Sequence, residues 1–443
     1  MTKGIAPKEA AARQRIQLEI APNPAFIDEA VAIRLTGLPP RSNVTLRAAV
    51  EDAAGRTWES RGLFRADADG CVDTAVQNSS EGTYRGTDTM GLFWSMCLTN
   101  ESSAMPATFR REGTSPDCVT FTAEVNGNEV ATAQLVRRWL ASETRIVETC
   151  EPGLVAQLFI PPGRGPHRVI IVLGGSGGGF DLDKAAVLSR HGFATLALAY
   201  FGVPPLPQWL HRVPLEYFGR AIAWLASRPE IHAERIGVLG VSRGAELALQ
   251  LGATFREIGP IVAFAPSAVA WGSGGKDKST GEIIPCWTWR DRAVPFAPLP
   301  LRRFIVHSAV PVGLLHRPVK FRKLFGSAMR NREAVDRARI QVEKCCGPIL
   351  LISGGDDHVW PSARMAKMIV ERLHAHNLAK IVEHLNYPGA GHSLRYPYLP
   401  TTARIFRPAT LKYFVSFGGS AREDAAAQAD SWRRAISFFD KHL

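Results

Sequence analysis

The chain has 443 residues, 46% of them hydrophobic, with 53 Lys and Arg against 41 Asp and Glu for a net charge of +12. That length suits two or three domains with large cores, and the longest apolar runs, near residues 169–173 and 193–199, are far too short to span a bilayer. Charges throughout residues 1–20 argue against a secretory signal, and the terminal Asp440-Lys441-His442-Leu443 is not a standard peroxisomal or retention signal.

Residues 1–15 read as a polar, flexible tail. Residues 16–140 have a β grammar. Short stretches at 17–20, 32–35, 44–48, 119–125 and 130–136 alternate between apolar and polar side chains. Turn clusters at Gly37-Leu38-Pro39-Pro40 and Asp67-Ala68-Asp69-Gly70 separate them, and Asn126-Gly127 between two alternating runs predicts a hairpin. The expectation is an antiparallel β-sandwich domain. It contains no histidine, so it cannot complete a Ser/His/Asp set alone.

After a boundary near 138–152, strands and helices alternate through residues 153–443. Strands are expected at 155–160, 169–173, 193–199, 236–239, 261–265, 349–353 and 381–385. Helices are expected at 215–227, 363–374 and 425–439. This alternation predicts a mostly parallel α/β sheet covered on both faces. A basic insertion spans residues 271–344; from Lys276 to Lys344 there are 15 Lys and Arg and 6 Asp and Glu, a charge of +9. It reads as a solvated basic surface, a nucleic-acid surface without a recognisable motif, or a field that steers an anionic small molecule.

The seven cysteines (Cys71, Cys97, Cys118, Cys150, Cys286, Cys345 and Cys346) are odd in number and irregular in spacing, with no C-x-x-C. Reduced thiols in a cytoplasmic protein fit this pattern, and a zinc site does not.

Chemistry concentrates in three places. A strand at 236–239 runs into Gly240-Val241-Ser242-Arg243-Gly244 and then a helix. Strand, G-x-S-x-G and helix in succession is the nucleophile elbow of α/β-hydrolases, and it makes Ser242 the nucleophile. A second strand leads into Gly174-Gly175-Ser176-Gly177-Gly178-Gly179. The N–H of Ser176, or alternatively Gly177, would complete an oxyanion hole with the N–H of Arg243. The loop lacks the glycine and lysine spacing of a phosphate-binding P-loop. The base and its acid should follow later strands, in the order Ser, acid, His. Asp356 and Asp357 both follow the 349–353 strand; Asp357 is favoured and Asp356 is the fallback. His392, after the small residues Pro388-Gly389-Ala390-Gly391, is the expected base, with His358 as its rival. No cofactor or metal is expected.

Together these pieces resemble the acyl-CoA thioesterase/bile acid-CoA:amino acid N-acyltransferase family. The resemblance covers most of the chain. It rests on Leu38-Pro39-Pro40, Tyr84, Met90-Gly91-Leu92-Phe93-Trp94-Ser95, Leu158-Phe159-Ile160-Pro161-Pro162-Gly163, the 175–179 glycines, Leu198-Ala199-Tyr200, Leu215-Glu216-Tyr217-Phe218, the elbow, Gly355-Asp356-Asp357-His358 with Trp360, and Tyr387-Pro388-Gly389-Ala390-Gly391-His392. It implies an N-terminal β-sandwich, a C-terminal α/β-hydrolase domain and a Ser242/Asp357/His392 triad acting on acyl-CoA thioesters. The family's bile-acid transferases generally carry Cys at the nucleophile, so serine favours water as acceptor. After His392 the chain departs from the family's acidic residue and paired prolines, reading Ser393-Leu394-Arg395-Tyr396-Pro397-Tyr398.

The sequence reading is therefore an acyl-CoA thioesterase that forms an acyl-serine. The 276–344 charge is expected to attract the coenzyme A phosphates. No nucleic-acid partner and no stable membrane insertion are expected. Acyl transfer to an amine or alcohol, carboxylester hydrolysis and non-catalytic acyl binding are the alternatives.

Overall fold

The structure, a computed structural model, describes residues 15–99, 108–109, 111, 113–149, 151–315, 317–406 and 414–443. The expected tail, apart from Arg15, and Cys150 lie outside the described residues. The chain forms two compact units, one from residues up to 25, 29–100 and 116–137, the other from 26–28, 101–115 and 138–443.

The first unit is antiparallel. Strands β1 (Gln17–Ala21) and β2 (Ala32–Thr36) pair with Ile20 opposite Ile33. In a larger sheet, β3 (Asn43–Glu51) lies between β4 (Thr57–Arg65) and β5 (Asp117–Val125), and β6 (Asn128–Arg138) pairs with β5. Alternation sets which side chains turn inward: Val44, Leu46, Ala48 and Val50 are buried, and Ala48 faces Phe121 across the ladder. The β5–β6 turn is Asn126-Gly127, with φ of 53° and 79°. Two successive positive φ values make a type I′ turn, which matches strand twist and explains the Asn-Gly pair.

The second unit contains one eight-stranded sheet. Its strands are β7 (Arg145–Glu148), β8 (Ala156–Ile160), β9 (His167–Leu173), β10 (Ala194–Leu198), β11 (Ile231–Val241), β12 (Ile258–Phe264), β13 (Ile349–Gly354) and β14 (Val382–Tyr387). Their spatial order is β7-β8-β10-β9-β11-β12-β13-β14. The ladders from β10 to β14 are parallel, and those joining β7 to β8 and β8 to β10 are antiparallel. Helices α1 (Leu182–Ser189), α2 (Glu216–Ala226), α3 (Arg243–Thr254), α4 (Ser362–Ala375) and α5 (Ala421–His442) accompany the sheet. The central strands are buried along their whole apolar runs, as in β9 and β12, because a parallel sheet is covered on both faces. This is the α/β-hydrolase architecture.

The basic insertion is not only a solvated surface. Its cations face outward, but Trp271, Trp287, Phe304, Phe325 and Met329 are buried and belong to the same core as the sheet's strands. It folds into short helices, among them Arg322–Ala328 and Arg332–Arg337. Sequence periodicity over so few turns is too short to reveal such helices.

Candidate active site

Ser242 sits between β11 and α3 with φ 57° and ψ −117°, a strained conformation for a residue with a side chain. The glycines around it have steric causes. A Cβ at Gly240 would lie 2.1 Å from the carbonyl oxygen of Gly244, and one at Gly244 would lie 2.4 Å from those of Leu173 and Gly174. Strand, turn and helix can close this tightly only without those side chains. The turn is held by Ser242 N–H donating to Phe264 O (2.9 Å), and Ser242 O accepts from the N–H groups of Ala245 (2.9 Å) and Glu246 (3.1 Å). Arg243 is the first residue of α3, so its N–H belongs to the free donors of a helix start, beside the serine.

The glycine loop after β9 lies against this turn. An ideal Cβ at Gly175 would be 3.5 Å from Ser242 Cβ. Buried Tyr200 donates its hydroxyl to Gly174 O at 2.6 Å, and Gly179 N–H donates to Phe201 O at 2.8 Å, so both ends of the loop are tied. Ser176 and Gly177 are exposed at its tip.

The parallel register brings the remaining groups to the same sheet edge. Val241 aligns with Phe264, Phe264 with Ile352, and Gly354 with Tyr387. Residues that leave β11, β12, β13 and β14 therefore emerge side by side at their C-terminal ends, where open α/β sheets place their ligands. Asp357 follows β13 and is 1% exposed. Its Oδ1 accepts the N–H groups of Val359 (2.8 Å) and Trp360 (3.1 Å); its Oδ2 accepts the Ser362 hydroxyl (2.7 Å) and lies 2.8 Å from His392 Nδ1. An ionised carboxylate only accepts, so His392 carries its proton on Nδ1 and presents Nε2 as an acceptor.

Trp360 connects this pair to the elbow. Its indole N–H donates to Ala265 O at 3.1 Å, one residue beyond the carbonyl that holds Ser242 N–H. Its ring meets the His392 imidazole edge-on, with centroids 6.0 Å apart, and Phe417 stacks near-parallel to the imidazole at 6.3 Å. The Ser242 hydroxyl makes no side-chain hydrogen bond among the described residues.

Asp356 and His358 face elsewhere. Asp356 Oδ2 accepts Gly419 N–H (3.1 Å), and its Oδ1 lies 3.1 Å from His358 Nε2. His358 also meets Lys320 Nζ (3.1 Å) and Ser416 Oγ (2.9 Å). Burial, the Lys320 ammonium and Arg322 push its pKa down, against Asp356.

Three supports escaped the sequence reading. The Arg243 side chain is buried, pairs with Glu246 at 2.7 Å and donates to the carbonyls of Trp271 (3.2 Å) and Gly272 (2.8 Å). Glu246 in turn accepts from the Trp287 indole at 2.8 Å. Burial pushes the Glu246 carboxyl up and the guanidinium pulls it back. The pair pins the start of the basic insertion to the helix behind the serine. Asp424, 2% exposed on α5, accepts Gly391 N–H at 2.7 Å, one residue before His392. Tyr396, in the stretch that departs from the family pattern, is buried and donates to Asp183 at 2.9 Å, on the helix that follows the glycine loop. The capping box Ser-x-x-Glu at Ser420–Glu423 was a local signal for the start of α5. Nothing in the sequence links Asp424 to Gly391.

Residues 213–443 match the family described as BAAT / Acyl-CoA thioester hydrolase C terminal, and residues 28–151 match Acyl-CoA thioester hydrolase/BAAT N-terminal region. The chain is 33% identical to acyl-coenzyme A amino acid N-acyltransferase 1 of Mus musculus, over 97% of this chain and 98% of that one. It is 30% identical to the peroxisomal succinyl-coenzyme A thioesterase of Mus musculus and 32% identical to acyl-coenzyme A thioesterase 1 of Rattus norvegicus, each over 94% of both chains. Among the described residues no helix is long and apolar enough to cross a membrane.

Proposed function

The chain belongs to the acyl-CoA thioester hydrolase/BAAT family, and we propose that within it this protein hydrolyses acyl-CoA to free acid and coenzyme A. His392 Nε2 takes the proton of Ser242 as Oγ attacks the thioester carbonyl. Asp357 orients the imidazole and stabilises its cationic form. The N–H groups of Arg243 and Ser176 hold the oxyanion, a donor each worth about 3 kcal/mol to the transition state. The thiolate of coenzyme A leaves, accepting the proton from His392. Water then attacks the acyl-serine, His392 again acting as base, and the acyl–Oγ bond breaks as Ser242 takes that proton back and the acid is released. This scheme needs no cofactor. Residues 153–443 carry the chemistry and residues 16–140 support it. The charge of the 276–344 segment steers the anionic substrate toward the site. A reducing, cytoplasmic setting suits a set of seven cysteines that is odd in number and irregular in spacing.

The observation that carries this reading is the 2.8 Å contact between buried Asp357 and His392 at the sheet edge where Ser242 emerges. A second reading, acyl transfer to an amine, is favoured by the likeness to the murine N-acyltransferase; serine at position 242 weighs against it. Free-thiol release from a panel of acyl-CoA chain lengths, with Ser242→Ala as control, tests the enzyme. Mass spectrometry of the products with glycine or taurine present separates hydrolysis from conjugation. Absence of thiol release at every chain length defeats the proposal, and an N-acyl product replaces it with the second reading.

A further inference from the structure

Residues 292–332 contain nine Lys and Arg and no Asp or Glu. Within this run a helix spans 301–314. It begins as α-helix over Leu301–Phe304, widens to a π-helix over Ile305–Ala309 and ends as α-helix over Val310–Leu314. π-Turns are rare and are frequent at functional positions. Along the helix Val306, Val310 and Leu314 recur every fourth residue, at 56%, 44% and 76% exposure, and Leu315 follows at 67%. These four are half of the eight large hydrophobic side chains exposed among the described residues. A soluble surface scatters such residues singly; a row of them marks a contact.

A cavity of about 410 Å³ opens beside the row. Arg303 and His307 on this helix and Lys323 and Arg330 on the next segment line it, and no acidic residue does. Its wall is firm: Phe304 packs on Phe321 with ring centroids 5.2 Å apart, and Arg330 is held by the Ser327 hydroxyl at 2.8 Å. A cationic cavity and an aliphatic row side by side match the two halves of a phospholipid, a phosphate head and an acyl tail. Other occupants fit less well. Protein hot spots are rich in Trp and Tyr, and the row has neither. A second copy would set two acid-free basic cavities against each other. A nucleic acid leaves the aliphatic row exposed.

We propose that helix 301–314 and the adjoining cavity dock the protein onto a membrane surface rich in anionic phospholipid. The aliphatic row enters the boundary between headgroups and acyl chains, as amphipathic helices do in the interface plane. The cavity's cations hold lipid phosphates, and the remaining Lys and Arg add long-range attraction that salt screens.

Flotation of the full chain with vesicles tests this without any turnover. Two vesicle types are used, phosphatidylcholine alone and phosphatidylcholine with one-third phosphatidylserine. The wild type is expected to float with the anionic vesicles and not with the neutral ones, and to be released at high salt. Val310→Ser with Leu314→Ser breaks the row, and Arg303→Glu with Lys323→Glu reverses the charge of the cavity. Each pair should weaken binding by at least tenfold, since one basic residue near such a surface is worth about fivefold. Circular dichroism on both variants, and unchanged turnover of a short-chain acyl-CoA by the Val310/Leu314 variant, establish that the fold is intact. Failure of the wild type to float with anionic vesicles overturns the proposal, as does undiminished binding by either folded variant. A non-floating wild type that light scattering finds dimeric, with Leu314→Ser monomeric, assigns the row to a second copy instead.

Discussion

Asp357 holds His392 with one carboxylate oxygen and shares that oxygen with the Ser362 hydroxyl, while its other oxygen takes two backbone N–H groups. Four donors meet one buried carboxylate, so its position is over-determined. The neighbouring Asp356 has a half-exposed side chain and braces Gly419.

The two aspartates should therefore separate cleanly. Asp357→Asn keeps the shape but no longer enforces the proton on Nδ1, and should lower kcat for thiol release about 10⁴-fold. Asp356→Asn should change kcat by less than about threefold, since its contacts with Gly419 N–H and His358 are of the kind worth roughly 1 kcal/mol and do not involve His392. Steady-state kinetics on one acyl-CoA decides the assignment; a larger loss at Asp356 reverses it.

The two glycine sites make a second contrast. Gly240→Ala puts a methyl 2.1 Å from a backbone oxygen, whereas a Cβ at Gly177 meets nothing within 4 Å. The first substitution should abolish activity or soluble expression, because backbone must move. Gly177→Ala should fold normally and keep activity within about threefold, an N–H donor at this position being unaffected by a Cβ.

Glu246 is 0% exposed and neutralises Arg243, which is itself buried. Glu246→Gln leaves the guanidinium without its counter-charge and should cost about 3–5 kcal/mol of stability. Urea unfolding measures it. Thiol release should fall as well, because Arg243 also holds the carbonyls of Trp271 and Gly272.

Burial pushes the Asp424 carboxyl up to about 7 from 3.8, against the Gly391 N–H and Arg404 and with Asp356. The folded state therefore holds a proton that the unfolded chain releases above pH 4. Stability from this group is complete below about pH 4 and is lost as pH rises to about 7, a swing of roughly 4 kcal/mol at most. Asp424→Asn keeps an oxygen for Gly391 and cannot ionise. It should be more stable than the wild type at pH 8, and the difference should vanish near pH 4. Denaturant midpoints at both pH values test this; an equal difference at each would refute the linkage. Asp424→Ala removes the acceptor of Gly391 N–H and should lower kcat through the His392 loop with little change in KM.

Local chemistry was legible in the sequence. The elbow at Gly240–Gly244, the Asn126-Gly127 hairpin and the alternating and continuous apolar runs each depend on sterics or burial within a few residues, so composition and spacing suffice to read them. That Ser242, the Asp356/Asp357 pair and His392 each follow a strand of the same sheet, in that chain order, was legible for the same reason. The sequence favoured Asp357 over Asp356, and the tertiary structure brings the Asp357 carboxylate to within 2.8 Å of the His392 imidazole, because the two aspartates differ in where the chain turns after β13. Tertiary structure alone decided the Arg243–Glu246 anchor to Trp287, the Asp424–Gly391 bond and the exposure of Val306, Val310 and Leu314. Each of these depends on groups brought together by the sheet's parallel register or on surface left uncovered by it. The contacts of Glu246 with Trp287 and of Asp424 with Gly391 span tens of residues and leave no periodic trace in the chain.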